Sequence, residues 1–111
     1  MQGHYALNLR GADFTTNPGQ EDVAGLLLPN GGSAITGTLD INDSGNLGRG
    51  ATVQLASYQV AASGRGTATL QTDSSLLKTA TWSLYVIDAS NVLFLETDSS
   101  RMLVGSMQKQ Y

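Results

Sequence analysis

The sequence predicts an all-β protein, an eight-stranded antiparallel meander that closes into a small barrel. Segments rich in Thr, Val, Leu and Tyr alternate with clusters of Gly, Asn, Asp and Ser at intervals of roughly 8 to 15 residues, as in sandwiches and barrels. Helical periodicity is nearly absent, and no link between two segments is long enough for a crossover helix. Eight meandering strands can close on themselves and leave no unpaired edge, so a closed barrel is favoured over an open sandwich.

Three strands are predicted in the first part of the chain, at residues 4–10, 23–28 and 35–41. In the first strand, apolar residues from Tyr5 to Leu9 alternate with Ala, Asn and Arg, which is the period of two of a strand with one buried face. An Asn-Gly pair at residue 30 supplies the positive φ angles of a tight hairpin turn. Polar segments that contain glycine, at residues 11–20 and 42–50, are predicted loops.

Five further strands are predicted, at residues 51–60, 67–71, 79–87, 92–97 and 102–108. In the first of these the inward phase changes between Val53 and the pair Tyr58 and Val60, which predicts a β-bulge near Ala56. All eight strands fit one domain over residues 1–111, a length that allows one modest core.

Composition and charge exclude several classes of protein. The formal net charge is -3, and six dispersed basic residues make no clustered basic surface for nucleic acid. The chain has no cysteine, which excludes disulfides, thiol catalysis and thiolate zinc sites. No apolar run approaches the ~20 residues of a membrane-spanning helix. We therefore expect no nucleic-acid partner, no membrane span and no cofactor, while a protein or small-molecule partner and the oligomeric state stay open.

One segment follows the start of a calcium-binding loop. Asp40, Asn42 and Ser44 place oxygen ligands at alternate positions, and a glycine stands at the sixth position for the sharp turn. The twelfth position, where such loops carry a bidentate glutamate, is Ala51. A polar turn in which Asp and Asn bond to the neighbouring backbone is therefore the favoured interpretation.

The same segment offers the one enzymatic hypothesis. Asp43 is followed by Ser and Gly, as in the catalytic turn of an aspartic-protease half-site, and an apolar-apolar-Gly strand ends at Gly105. Two such chains would let two Asp residues share one proton. The residues before Asp43 are polar, however, and Asn46 stands where a small residue is needed. A non-enzymatic protein is the preferred prediction.

The remaining titratable candidates point to no catalytic arrangement. His4 is the single histidine and lies on the polar side of the first strand, where a surface role is the usual one. Glu96 shares its strand phase with Phe94, so an inward side chain would need a buried partner such as Arg10, Arg65 or Arg101. We expect Glu96 to face solvent at the barrel rim instead.

Aromatic side chains are the candidates for a ligand site inside the barrel. Tyr58, Trp82 and Phe94 fall on predicted inward positions and could line a cavity for a small apolar molecule. Barrels of this size are as readily filled by their own side chains, and the chain has only seven aromatic residues to build a core. Core filling is the favoured role.

Short motifs occur along nearly the whole chain: Gly3-x-Tyr5, Ala24-Gly25, Asn30-Gly31-Gly32, Ile35-x-Gly37, Asp40-x-Asn42, Tyr58-x-Val60, Gly64-Arg65-Gly66-Thr67, Leu84-Tyr85-Val86, Glu96-Thr97-Asp98 and Gly105…Gln108. This pattern resembles a repeated β-rich domain of secreted or surface proteins of soil bacteria, notably acidobacteria. Two positions depart from it, since Leu27 replaces an aromatic residue and Ala56 a glycine. The resemblance implies export and a place as one module of a longer protein, and it brings no catalytic or ligand-binding residue.

In strand count, length and opening Gly-x-aromatic motif the chain is also similar to the avidin and lipocalin class of meander barrels, a likeness of fold that does not establish function. Three functions are therefore predicted in order of preference. The first is a non-enzymatic structural or interaction module of a secreted or surface protein. The second is a carrier that binds a small apolar ligand beside Tyr58, Trp82 and Phe94. The third is a dimeric aspartic protease that uses Asp43.

Overall fold

A computed structural model describes residues 1–14 and 19–110, without the side chain of Leu55. Eight antiparallel strands form one closed barrel in which each strand pairs with its neighbours in the chain and β8 pairs with β1. The fold class predicted from the sequence is confirmed. The strands are β1 (Tyr5–Asp13), β2 (Gly19–Pro29), β3 (Ile35–Asp43), β4 (Asn46–Val60), β5 (Arg65–Thr72), β6 (Thr79–Asp88), β7 (Asn91–Glu96) and β8 (Arg101–Lys109), with a 3₁₀ turn at Ser75–Leu77 between β5 and β6.

Two predicted loops contain strand residues. The segment 11–20 contains the end of β1 and the start of β2, and its residues 15–18 lie outside the described part of the chain. The segment 42–50 contains the β3–β4 hairpin, whose turn is reduced to Ser44 and Gly45 with φ of 53° and 94°. These φ values suit a tight hairpin turn. The loop prediction was wrong because polar residues here occupy ladder positions, where Asp43 pairs with Asn46 across the hairpin.

The predicted bulge in β4 is present, close to its expected place. The register of β4 on β5 shifts between Val53 and Leu55, about two residues before Ala56. Tyr58 is buried as expected, whereas Val60, in the same strand phase, is 37% exposed and does not belong to the core. Val60 is the last residue of β4 and pairs with Gly66 at the end of the ladder, so no side chain from β5 covers it.

Apolar side chains fill the barrel between its two ends. Trp82 and Phe94 meet edge to face, with ring centroids 5.3 Å apart and an interplanar angle of 80°. At one end, called here the tyrosine end, the hydroxyls of Tyr5 and Tyr58 donate hydrogen bonds of 2.8 Å to the carbonyls of Ala89 and Met1. At the opposite end, called the acidic end, the 3₁₀ turn buries Leu77 completely against the core.

Glycines let the closing strands approach each other. Gly105 on β8 pairs with Leu9 on β1, and a methyl group added at Gly105 would collide with the carbonyl oxygen of Asn8. The neighbouring backbone cannot move aside without breaking the β1–β8 ladder, because that ladder closes the barrel. The position therefore requires a residue without a Cβ atom.

We predict that Gly105→Ala lowers the free energy of unfolding by about 2–4 kcal/mol, since the new Cβ pushes β1 and β8 apart. Urea denaturation followed by tryptophan fluorescence measures the change. Gly32→Ala is the matched control, because the atom nearest to the Cβ that it adds, Asn30 Oδ1, lies at an ordinary contact distance of 3.4 Å from that Cβ. Equal stability of the two variants would contradict the close-approach argument.

Candidate functional site

The acidic end of the barrel collects the buried polar side chains. Of the seven buried polar or charged side chains among the described residues, all but Ser83 lie here: Asp13, Glu21, Asp43, Thr72, Glu96 and Arg101. Each is among the first or last three residues of its strand, where β1, β3, β5 and β7 end and β2 and β8 begin. Their inward direction follows from the same alternation that buries the leucines.

Arg101 is the central cation of this group and is only 9% exposed. Its Nε donates to Glu21 Oε1 at 3.0 Å, and its Nη2 lies 3.9 Å from Asp13 Oδ2. The guanidinium also donates to the carbonyl of Leu76 at 3.0 Å and to that of Thr79 at 3.5 Å. Arg101 therefore joins strands β1 and β2 to the segment that covers the acidic end.

Asp13, Glu21 and Asp43 form a close carboxyl cluster, with one oxygen of each within 4.8 Å of the others. Burial raises the pKa of Glu21 to about 7, against the opposing charge of Arg101. Burial, followed by a hydrogen bond to Asp13 and its negative charge, raises the pKa of Asp43 to about 6. One guanidinium thus faces three carboxyl groups, and near neutral pH protons supply part of the missing positive charge.

These three carboxyl groups are also the residues that could hold a metal ion, because carboxylate oxygens are the ligands of Mg²⁺ and Ca²⁺. Arg101 already stands against two of them and provides the counter-charge that an ion would bring. The arrangement is therefore that of a buried ion pair beside a hydrogen bond between the carboxyl groups of Asp43 and Asp13.

Glu96 lies inside the barrel and is only 5% exposed, so its predicted place at the solvent-facing rim was wrong. Trp82 Nε1 donates to Glu96 Oε1 at 2.6 Å, because β6 and β7 place these two residues opposite each other. The partner is an indole N–H and not one of the three arginines considered from the sequence. Strand alternation turns Glu96 inward together with Phe94, and the buried indole N–H thereby gains the acceptor that it needs.

Glu96 keeps its carboxyl proton to a higher pH than an ordinary glutamate does. Burial, followed by a hydrogen bond to Asp98, raises the pKa of Glu96 to about 8. Burial acts to raise the pKa of Asp98 as well, but the hydrogen bonds that it accepts from Glu96 and Ser100 lower it overall. The pair is therefore a carboxylic acid, Glu96, that donates to the carboxylate of Asp98.

The three aromatic residues considered for a ligand site belong to the filled interior. Trp82 and Phe94 pack against each other, and the indole N–H of Trp82, its one side-chain donor, is hydrogen-bonded to Glu96. Tyr58 is 4% exposed and donates its hydroxyl to Met1. A cleft of about 340 Å³ lies at the tyrosine end, lined in part by Tyr5, Val86 and Lys109, and it is open to solvent.

The candidate calcium ligands lie on the outside of the β3–β4 hairpin. Asp40 Oδ1 accepts from the Gly50 amide at 2.7 Å, and Asn42 Oδ1 accepts from the Gly45 amide at 2.8 Å. Ser44 Oγ donates to the carbonyl of Gln20 at 3.4 Å. The Asn42 oxygen is thus engaged within the hairpin turn, as the plain-turn interpretation expects, while Asp40 and Ser44 bond to the backbone of the neighbouring strands β4 and β2.

Asp43, the residue of the protease hypothesis, points in the opposite direction to these ligands. It is 4% exposed and belongs to the carboxyl cluster inside the barrel. The segment that covers the acidic end lies between Asp43 and solvent, whereas a shared-proton pair between two chains needs carboxyl groups that can meet.

Sequence reasoning missed the acidic end, although a signal for it exists. The inward phase of Tyr5, Leu7 and Leu9 continues to Asp13 if β1 is extended, and Glu21, Asp43 and Arg101 extend their own strands in the same way. Charged residues in phase with a buried face, all at one end of a meander, indicate a buried polar group.

Fold and site together define the chain as a closed antiparallel meander barrel with a buried acidic end. No family model matches the chain, no curated protein matches its sequence significantly, and no solved structure matches its fold significantly. Among the described residues no helix is long and apolar enough to cross a membrane.

We predict that the barrel loses stability as pH rises from about 5 to 8.5. The pKa values of Glu21, Asp43 and Glu96 are raised in the folded state to about 7, 6 and 8, so the folded chain holds protons that the unfolded chain releases. This stabilisation is complete below pH 4 and disappears as pH rises through 6 to 8. Thermal unfolding across this range measures it. The melting temperature of Glu96→Gln, whose amide can accept from Trp82 and donate to Asp98 without titrating, should fall less steeply with pH than that of the parent. A melting temperature that rises with pH would contradict the assignment.

Arg101→Met is expected to lower the free energy of unfolding by about 3–5 kcal/mol, because it leaves Glu21 and Asp13 buried without their cation. The loss should be larger at pH 8 than at pH 5, where protonation removes part of the uncompensated charge. Arg10→Met is the matched control, since Arg10 is 73% exposed in its pair with Asp22 and should change stability by less than about 1 kcal/mol. Equal effects of both substitutions would show that the acidic end does not depend on Arg101.

Proposed function

We propose that this chain is a non-enzymatic structural or interaction module that binds other proteins through the outer wall of its barrel. The observation that carries the proposal is an uncharged, apolar outer face on three adjacent strands, β6, β7 and β8. We call it the β6–β8 face and define it by Tyr85, Ile87, Leu93, Leu95, Met102 and Val104. Each of these side chains is between 40% and 62% exposed.

The members of this face are neighbours across the sheet. Tyr85 stands opposite Leu93 in the β6–β7 ladder, and Leu95 stands opposite Val104 in the β7–β8 ladder. Together they expose a largely apolar patch of roughly 500 Å², within the ~300–600 Å² of the largest patch on a typical soluble monomer, and such patches are often functional. Single exposed apolar residues are ordinary, but a continuous set on three strands is not.

The interior supports a structural role over a carrier role. Trp82 and Phe94 fill the space that a ligand would need, and their contact leaves the indole N–H bonded to Glu96. The acidic end is closed by the Arg101 ion pairs and by Leu77. A ligand inside would have to displace packed rings and a buried charge network, which costs more than a small apolar molecule can return.

The buried side chains also argue against hydrolysis of a peptide. Asp43 faces Asp13 and Glu21 inside the barrel, and Arg101 holds that cluster from the other side. A nucleophilic water and a substrate would both need access to the carboxyl oxygens. The arrangement serves to close the barrel end.

The motif resemblance supports a place outside the cell. It links the chain to repeated domains of secreted or surface proteins, and the lack of cysteine is compatible with that setting. A module in a larger exported protein needs a stable wall and a contact surface, which are the two features described above. We therefore propose an extracellular or cell-surface location.

Binding of the dye anilinonaphthalene sulfonate tests this proposal, because the dye fluoresces on apolar surface. We expect weak binding to the folded barrel that Leu93→Gln reduces several-fold, since the substitution places an uncharged polar amide in the middle of the β6–β8 face without attracting the anionic dye. Thr38→Gln, an exposed outward position on β3, is the matched control and should leave binding unchanged.

A carrier gives the opposite pattern. Tight binding that survives Leu93→Gln and that competes with a small apolar ligand would place the dye inside the barrel and overturn the module proposal. Cleavage of casein that Asp43→Asn abolishes would overturn it in favour of the protease.

A further inference from the structure

We propose that Asp13, Glu21 and Asp43, at the acidic end of the barrel, form a binding site for one Ca²⁺ ion. The site lies inside the barrel, so it is independent of the β6–β8 face and of the proposed function. Three features of the cluster support it: the spacing of the carboxyl oxygens, an oxygen of Glu21 without a partner, and the balance of charge.

The spacing of the oxygens suits a calcium ion. Asp13 ends β1, Glu21 is the third residue of β2 and Asp43 ends β3, so three neighbouring strands hold the carboxyl groups. One oxygen of each lies within 4.8 Å of the others. Ca²⁺ takes oxygen ligands at about 2.3–2.6 Å, so two ligands on opposite sides of the ion are roughly 4.6–5.2 Å apart. The three strands therefore already hold ligands at the separation that the ion requires.

The second oxygen of Glu21 is the independent sign of a ligand. Glu21 is completely buried, and its Oε2 atom has no hydrogen-bond partner among the described residues. Arg101 Nε donates to the other oxygen, Oε1. An ionised Glu21 leaves Oε2 without a donor, and a proton on Oε2 would be left without an acceptor, so neither protonation state satisfies this atom. A cation at Oε2 satisfies it and shares the carboxylate with the guanidinium.

The charge of the cluster calls for a divalent ion. Arg101 supplies one positive charge to the cluster through its ion pairs with Glu21 and Asp13. Three ionised carboxyl groups leave two negative charges after that pairing, which one Ca²⁺ ion balances and a water molecule does not. Binding of the ion displaces protons from the carboxyl groups, as metal binding to titratable ligands generally does.

The donors and their burial favour Ca²⁺ over other cations. All three ligands are carboxylates, which suit hard cations, whereas zinc and copper prefer nitrogen and sulfur. Mg²⁺ demands near-ideal octahedral geometry and keeps several waters, but the three carboxyl groups are at most 4% exposed. Ca²⁺ accepts irregular geometry and bidentate carboxylates. The cover of this end includes one short 3₁₀ turn, Ser75–Leu77, whose local opening gives the ion and its remaining water ligands access.

Thermal unfolding with CaCl₂ tests the site. After treatment of the chain with a chelator, about 10 mM CaCl₂ should raise the melting temperature by roughly 5–10 °C, as expected for a dissociation constant of about 0.1–1 mM. NaCl at the same ionic strength and MgCl₂ at the same concentration should each give less than half of this rise. No rise with CaCl₂, or an equal rise with NaCl, would overturn the site, and an equal rise with MgCl₂ would overturn the choice of calcium.

A pair of variants on β3 places the ion inside or outside the barrel. Asp43→Asn removes a carboxylate of the cluster and should weaken binding at least 30-fold, which reduces the calcium-dependent rise to less than half. Asp40→Asn, the matched control, removes an exposed carboxylate on the outside of the same strand and should bind Ca²⁺ like the parent. Circular dichroism checks that both variants fold. The opposite result would place the ion on the outer hairpin and contradict the proposal.

Luminescence of Tb³⁺, which takes oxygen ligands as Ca²⁺ does, gives a readout that does not depend on stability. The indole of Trp82 is bonded to Glu96 at the acidic end, so excitation of Trp82 should sensitise a bound Tb³⁺ ion, and added Ca²⁺ should reverse the signal. Asp40→Asn should keep this luminescence, and folded Asp43→Asn should lose it. If Asp43→Asn does not fold, the parent and Asp40→Asn decide: luminescence in both supports the interior site, and its loss in Asp40→Asn overturns it.

Discussion

The pairing of β8 with β1 is the constraint on which the rest of this structure depends, because it turns a meander into a closed wall. Once the wall is closed, each strand has one face inside and one face outside, and the period of two decides which side chains are buried. Leucines and carboxyl groups obey the same alternation. Asp13 and Arg101, which face each other in the β1–β8 ladder, are therefore buried together by the closure itself.

At the acidic end the same alternation places charged side chains inside the barrel, where they lose their hydration. Four carboxyl groups, those of Asp13, Glu21, Asp43 and Glu96, are buried with a single guanidinium. Desolvation raises the pKa of Glu21, Asp43 and Glu96, so bound protons complete the charge balance that Arg101 begins. The indole of Trp82 depends on the same group, since Glu96 is its acceptor. Packing of the aromatic core and ionisation of the acidic end are thus coupled.

Structural and interaction roles are divided between the two faces of the same strands. Leu95 points outward and Glu96 inward, and the same holds for Met102 and Arg101. One residue can therefore be exposed for a partner while its neighbour closes the core. This separation lets an outer surface of the barrel vary in charge and polarity without disturbing the ion pairs within.

The sequence by itself determined the fold class, the number and order of strands, and the inward position of Tyr58 and Trp82, because turn residues and a period of two are local signals. Only the tertiary structure decided where the strands end and what their last residues do. Glu21 and Arg101 are 80 positions apart and meet because the barrel closes. Glu96 lies in phase with the buried Phe94, and only the register of the sheet sets the Trp82 indole opposite it as a partner. In a sequence, a strand end that contains charged residues has the same composition as a loop. Their burial depends on neighbours that only the closed sheet supplies.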